Sequence, residues 1–105
     1  MDNTQGTLLA QHITSQTTGH RFTNTAGQVI AQDTLTLHSG ELENTAGLLQ
    51  SGGDMTVKTH GHWLANTATT DQKGGQLLSG GHLTLHTGDI DNTGGIIAAD
   101  GHTTL

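Results

Sequence analysis

The sequence predicts an all-β chain wound as a right-handed parallel β-helix, a β-solenoid of about five coils with three short strands in each. Three observations point there. An Asn-Thr pair recurs at Asn3, Asn24, Asn44, Asn66 and Asn92. Apolar residues between the pairs alternate with polar ones, the period of a strand. Large side chains are also too scarce for an ordinary globular core, with 30 % hydrophobic and 2 % aromatic residues among 105. Such a composition can still fold if its few apolar residues recur at fixed spacing and stack on one another.

Residues 1–105 read as one repeat segment with coils starting near 3, 24, 44, 66 and 92. A glycine follows each pair, at Gly6, Gly27, Gly47, Gly75 and Gly95. Two residues on comes a large aliphatic, then a small residue, which defines a first strand. These are Leu8 and Ala10, Val29 and Ala31, Leu49 and Ser51, Leu77 and Ser79, Ile97 and Ala99. A second strand supplies Ile13, then Leu35 and Leu37, Met55 and Val57, Leu83 and Leu85, and Leu105, with Ser15 and Thr103 interrupting the row. A third, shorter strand supplies Phe22, Leu42, Leu64 and Ile90.

LTLHSGELENTAG from Leu35 is answered by LTLHTGDIDNTGG from Leu83. The first and third units agree more loosely and carry a longer third strand, so two coil subtypes alternate. The fourth unit contains an insertion over 69–74, TTDQKG, expected to bulge from the rod as a loop.

A coil of this kind cannot bury its inward row alone. Stacked at ~4.8 Å it sets like residue on like, and the main chain bonds from coil to coil; five coils make a rod about 24 Å long. The handedness of parallel crossovers selects the right-handed coil. Helices are disfavoured because the units offer Thr, Gly and Asn where helix formers are needed.

Only 3 Lys and Arg stand against 9 Asp and Glu, a formal net charge of −6. Nucleic acid and anionic membrane surfaces bind through clustered cations, so neither is an expected partner. Absence of cysteine excludes disulfides and thiolate metal sites. No apolar run approaches the ~20 residues of a membrane span, so no membrane insertion is expected. No signal peptide is legible, so an exported parent would make this an internal stretch.

The recurrent asparagines Asn3, Asn24, Asn44, Asn66 and Asn92 are the first candidates for a shared role. Asn tolerates left-handed backbone geometry, and stacked amides can bond to one another. That role is structural, and the calcium-binding pattern of β-roll proteins is missing from these units. Among 8 histidines, His38 and His86 point outward two coils apart, about 10 Å, too far to share an ion. No metal or other cofactor is expected. The cations and carboxylates do not gather at one rung, so no catalytic residue is assigned and the chain reads as a non-enzyme. A rival reading is a carbohydrate- or receptor-binding module that uses one solenoid face and the TTDQKG loop, anchored on Trp63 with His60 and His62. An outward Thr-x-Thr that could bind ice is not repeated from coil to coil.

The pattern Asn-Thr-x-Gly-x-ψ-x-(Ala/Ser)-x-Gly-x-Leu-Thr-Leu-x-(Ser/Thr)-Gly-x-ψ-x-Asn, where ψ is aliphatic, is best seen from Gly75 to Gly95 and again from Gly47 and Gly27. It resembles the filamentous haemagglutinin repeat over essentially the whole chain. The resemblance implies a shaft segment of a long bacterial exoprotein, an adhesin or a contact-dependent growth inhibition protein, secreted to the cell surface. Its expected partners are an outer-membrane two-partner-secretion transporter during export and a host or target-cell glycan or receptor. Uncapped strand edges at the ends add an expectation of end-to-end self-association.

Overall fold

The computed structural model describes residues 2–68 and 74–104. Twelve strands and no helix occur among them. In chain order these are β1 (Thr7–Thr17), β2 (Phe22–Thr23), β3 (Gln28–Ser39), β4 (Leu42–Glu43), β5 (Leu48–Ser51), β6 (Met55–Lys58), β7 (Leu64–Ala65), β8 (Gln76–Ser79), β9 (Leu83–His86), β10 (Ile90–Asp91), β11 (Ile96–Ala99) and β12 (Thr103–Thr104). Every pairing between them is parallel. The chain is a β-solenoid whose five asparagines delimit four full turns.

Each strand pairs with its equivalent one coil away. β2, β4, β7 and β10 form one sheet, in the order β10-β7-β4-β2. β1, β3, β5, β8 and β11 form one wing of a second sheet, and the far halves of β1 and β3 continue into a wing with β6, β9 and β12. Leu8, Val29, Leu49, Leu77 and Ile97 stand in one file, and Ile13, Leu35, Met55, Leu83 and Thr103 in another. Phe22, Leu42, Leu64 and Ile90 make the third file. In the middle coils these side chains are fully buried, among them Val29, Leu35, Leu37, Leu49, Met55 and Leu77. Each such aliphatic contributes roughly 1.5–3 kcal/mol by leaving water.

Two features depart from three short strands per coil. In the first two coils, strands one and two run together as β1 and β3, of 11 and 12 residues. Later coils carry Gly52-Gly53, Gly80-Gly81 and Gly101 at this corner, where the first two carry Gln11-His12 and Gln32-Asp33. A Cβ at Gly52 would run into the Gln32 carbonyl and one at Gly80 into the Gly52 carbonyl, so the later corners bend where only glycine fits. A register shift between Ala10 and His12 absorbs the extra residue of β3 there.

The longer third strand expected of the first and third units is not found. β2, β4, β7 and β10 all have 2 residues. The extra residues lie in the turn before that strand, where Gly19 (φ 82°) and Gly61 (φ 87°) take the left-handed region. An alternating polar and apolar string cannot say whether added residues lengthen a strand or its turn. Apart from Gly74, the insertion expected at 69–74 lies outside the described residues.

Candidate functional site

The feature shared by all five coils is a file of asparagine side chains beneath the Asn-Thr-x-Gly turn. Asn3 Nδ2 donates to Asn24 Oδ1 at 2.8 Å, Asn24 to Asn44 at 2.8 Å, Asn44 to Asn66 at 2.8 Å, and Asn66 to Asn92 at 2.7 Å. The second proton of each Nδ2 goes to the carbonyl that opens the next coil's first strand. Those acceptors are Gln28 at 3.0 Å, Leu48 at 3.1 Å, Gln76 at 3.1 Å and Ile96 at 3.0 Å. Asn24, Asn44 and Asn66 have no solvent exposure. Carboxamides suit this site because one group both donates and accepts, so the file can repeat without leaving a buried polar atom unpaired.

The backbone of the turn explains why glycine follows. In four coils the glycine N–H closes on the asparagine carbonyl, as with Gly47 to Asn44 at 3.1 Å. A Cβ on Gly47 would run into the Asn24 carbonyl and the Asn44 amide oxygen. In the fourth coil Gly75 bonds to the Thr67 carbonyl instead, at 2.9 Å. Left-handed geometry falls on the residue two after the asparagine, not on the asparagine: Gln5 (φ 56°), Ala26 (φ 54°), Ala46 (φ 55°) and Gly94 (φ 72°). This corrects the expectation from asparagine's backbone tolerance. The asparagine opens the turn, and the third position of such a turn is the one that needs positive φ.

In the outermost asparagine-bearing coils, Asp2 and Asp91 precede the pair. Each carboxylate accepts the hydroxyl of the threonine two residues on at 2.6 Å and its N–H at 3.0 and 3.1 Å. Those bonds, the hydroxyl first, hold both carboxyls below the ordinary aspartate range.

Trp63, His60 and His62 sit in and after the long turn of the third coil. Trp63 is 39 % exposed, and its carbonyl is taken up by the Leu42 N–H at 3.1 Å. His60 lies against His38, with ring centres 5.7 Å apart. A shallow depression there is lined by Lys58, His60, Gly61, Leu85, His86 and Thr87, with Trp63 and His62 outside its lining. Lys58 stands between His38 and His86 in the outward file. At the last coil, the rings of His82 and His102 stack 5.2 Å apart, and His82 Nδ1 accepts the His102 N–H at 2.9 Å. Among the described residues, no three of His, Asp and Glu converge as a metal site.

Two surface features escape a reading by rows. Thr14, Thr36, Thr56, Thr84 and Thr104 form one outward file, and only the second coil, with Thr34, adds another threonine to make Thr-x-Thr. On the first wing, outward positions are largely apolar, with Leu9 64 % and Ile96 51 % exposed. Doubled aliphatics such as Leu8-Leu9 and Ile96-Ile97 were the available signal.

A family model for the haemagglutinin repeat matches residues 2–62 and again 56–105. This chain belongs to the haemagglutinin repeat family. No curated protein and no solved structure matches it. Across this haemagglutinin-repeat chain, the asparagine file, its glycine and the inward aliphatic of the first strand recur in every coil.

Proposed function

We propose that this haemagglutinin-repeat chain is a non-enzymatic shaft segment of a large secreted or surface-exposed bacterial protein. It supports adhesion, or holds a distal effector domain of the growth-inhibition type away from the cell. The observation that supports this reading is the unbroken asparagine file. Each coil makes the same bonds to the coil above and below, so coils can be added without changing any one of them, as in other solenoids. The whole parent would leave through an outer-membrane two-partner-secretion transporter. A chain free of cysteine suits that passage, because no stray disulfide can form before folding.

Deleting residues 24–65 removes one pair of coil subtypes and joins Thr23 to Asn66 in the same register. The shaft reading expects a folded β protein about 10 Å shorter by small-angle scattering, because two coils are gone. A shortened parent should still be exported and should keep its adhesive or toxic activity. Collapse of the fold, or loss of a specific binding activity from a well-folded deletion, would count against a purely mechanical role. The exposure of Trp63 favours the rival, a carbohydrate- or receptor-binding module. Glycan-array binding abolished by Trp63→Ala in a folded protein would establish that alternative.

A further inference from the structure

The first wing turns an apolar face to solvent. Its strands β1, β3, β5, β8 and β11 present two outward columns in register: Thr7, Gln28, Leu48, Gln76, Ile96, and Leu9, Ile30, Gln50, Leu78, Ala98. Six of these ten residues are apolar and none is charged, although the chain carries a net charge of −6. The outward face of the other wing is different: its threonine file is flanked by positions such as Asp54, His82, His102, His38, Lys58 and His86. Strands apolar on both faces are the pattern of a sheet covered on both sides.

We infer that a second copy of this chain covers the first-wing face, the two rods lying side by side and antiparallel. Two uncharged columns let acidic chains meet along them without placing like charges against each other. The columns are also self-matching. A two-fold axis along the strand direction through the third coil reverses the coil order and keeps each column over itself. Leu9 then faces Ala98, Ile30 faces Leu78, Gln28 faces Gln76 and, at the edge, Thr7 faces Ile96, while Leu48 and Gln50 each face their own copies. A large side chain meets a small one, aliphatic meets aliphatic, and amide meets amide. The shallow depression bordered by Gln50, Leu78, Gly80 and Ala98, with Asp100 at its rim, receives the protruding Leu9 of the second copy.

The area sets the strength. Four residues of strand by five coils cover about 13 by 24 Å, roughly 300 Å² on each copy. Stable interfaces need about 800 Å² on each partner. Five coils therefore pair weakly, and association is sought at high chain concentration. Pairing strengthens with every added coil and reaches a stable interface at about a dozen.

Single cysteines test this directly in a chain that has none. Leu48→Cys and Gln50→Cys lie on the axis, and Thr56→Cys lies on the other wing. At about 1 mM chain under mild oxidation, the first two should form disulfide dimers roughly tenfold faster than the third. Leu48→Lys and Leu48→Glu, each shown to be folded by circular dichroism, should sediment as monomers, and an equimolar mixture should recover association. Equal cross-linking of Thr56→Cys, a strictly monomeric native chain at that concentration, or no recovery in the mixture would each overturn the pairing. Flotation with phosphatidylcholine vesicles that is lost on Leu9→Lys would overturn it in favour of a lipid surface.

Discussion

Replacing Asn44 by alanine interrupts the asparagine file at its middle. Asn44 Oδ1 accepts from Asn24 at 2.8 Å, and its Nδ2 donates to Asn66 at 2.8 Å and to the Gln76 carbonyl at 3.1 Å. Alanine leaves one N–H of Asn24 and the Oδ1 of Asn66 without their partners in a site closed to water. Each orphaned group costs about 1–3 kcal/mol, so the substitution should cost about 3–5 kcal/mol once the small void is included. Against the roughly 5–15 kcal/mol of a domain this size, that is a large share, and melting should fall by ~15–30 °C. Asn3 provides the internal comparison. It donates to Asn24 at 2.8 Å and to the Gln28 carbonyl at 3.0 Å, but no more distal asparagine donates to it among the described residues. Asn3→Ala orphans one buried group, so it should cost only about 1–2 kcal/mol. Urea unfolding of both variants supplies the numbers. Equal costs near 1 kcal/mol would refute the reasoning, because a file of coupled amides must be more sensitive at its centre than at its end.

Further expectations concern the turn, the core and the terminal carboxylates. Gly47→Ala should destabilise by about 1–3 kcal/mol through its clash with Asn24 and Asn44, whereas Ala46→Gly should stabilise by up to about 1 kcal/mol by relieving positive φ; denaturant midpoints read both. Leu37→Ala should cost about 2–5 kcal/mol, while Leu9→Ala, outward and exposed, should stay within about 0.5 kcal/mol in dilute solution. Asp2 and Asp91 have lowered pKa values, so the ionised form is the one favoured by folding. Their contribution is fully present above the ordinary carboxylate range and is lost as pH falls through the lowered values. Thermal melts between pH 5 and 2 should therefore lose less stability in the Asp2→Ala, Asp91→Ala double variant than in the native chain; an unchanged acid limb would contradict this.

Much of the coil was legible because register in a solenoid is written as repetition. Spacing alone put Leu8, Val29, Leu49, Leu77 and Ile97 in one row and the five asparagines in another, since each residue's environment is made by its own equivalents. What the rows could not convey was geometry between the strands. Two additional residues before Phe22 and Leu64 look the same whether they extend a strand or a turn. The left-handed residue of the Asn-Thr-x-Gly turn was hidden because Gln5, Ala26 and Ala46 have no intrinsic preference for that backbone. The first-wing face was missed for a different reason. Attention to the inward aliphatic at Leu8 or Ile97 passes over Leu9 or Ile96 beside it, and only pairing shows that these outward neighbours share one surface. The candidate binding residues fared similarly: Trp63 and His60 are three apart in sequence, yet the depression takes in His60 and leaves Trp63 out.

Side-chain hydrogen exchange measures the stacked column most directly. The Nδ2 protons of Asn24, Asn44 and Asn66 should exchange as slowly as the core strand amides, released only by unfolding of the coils, while those of exposed Gln50 exchange freely. Asparagine amides that exchange as fast as Gln50 would mean that the coils are not joined through that file.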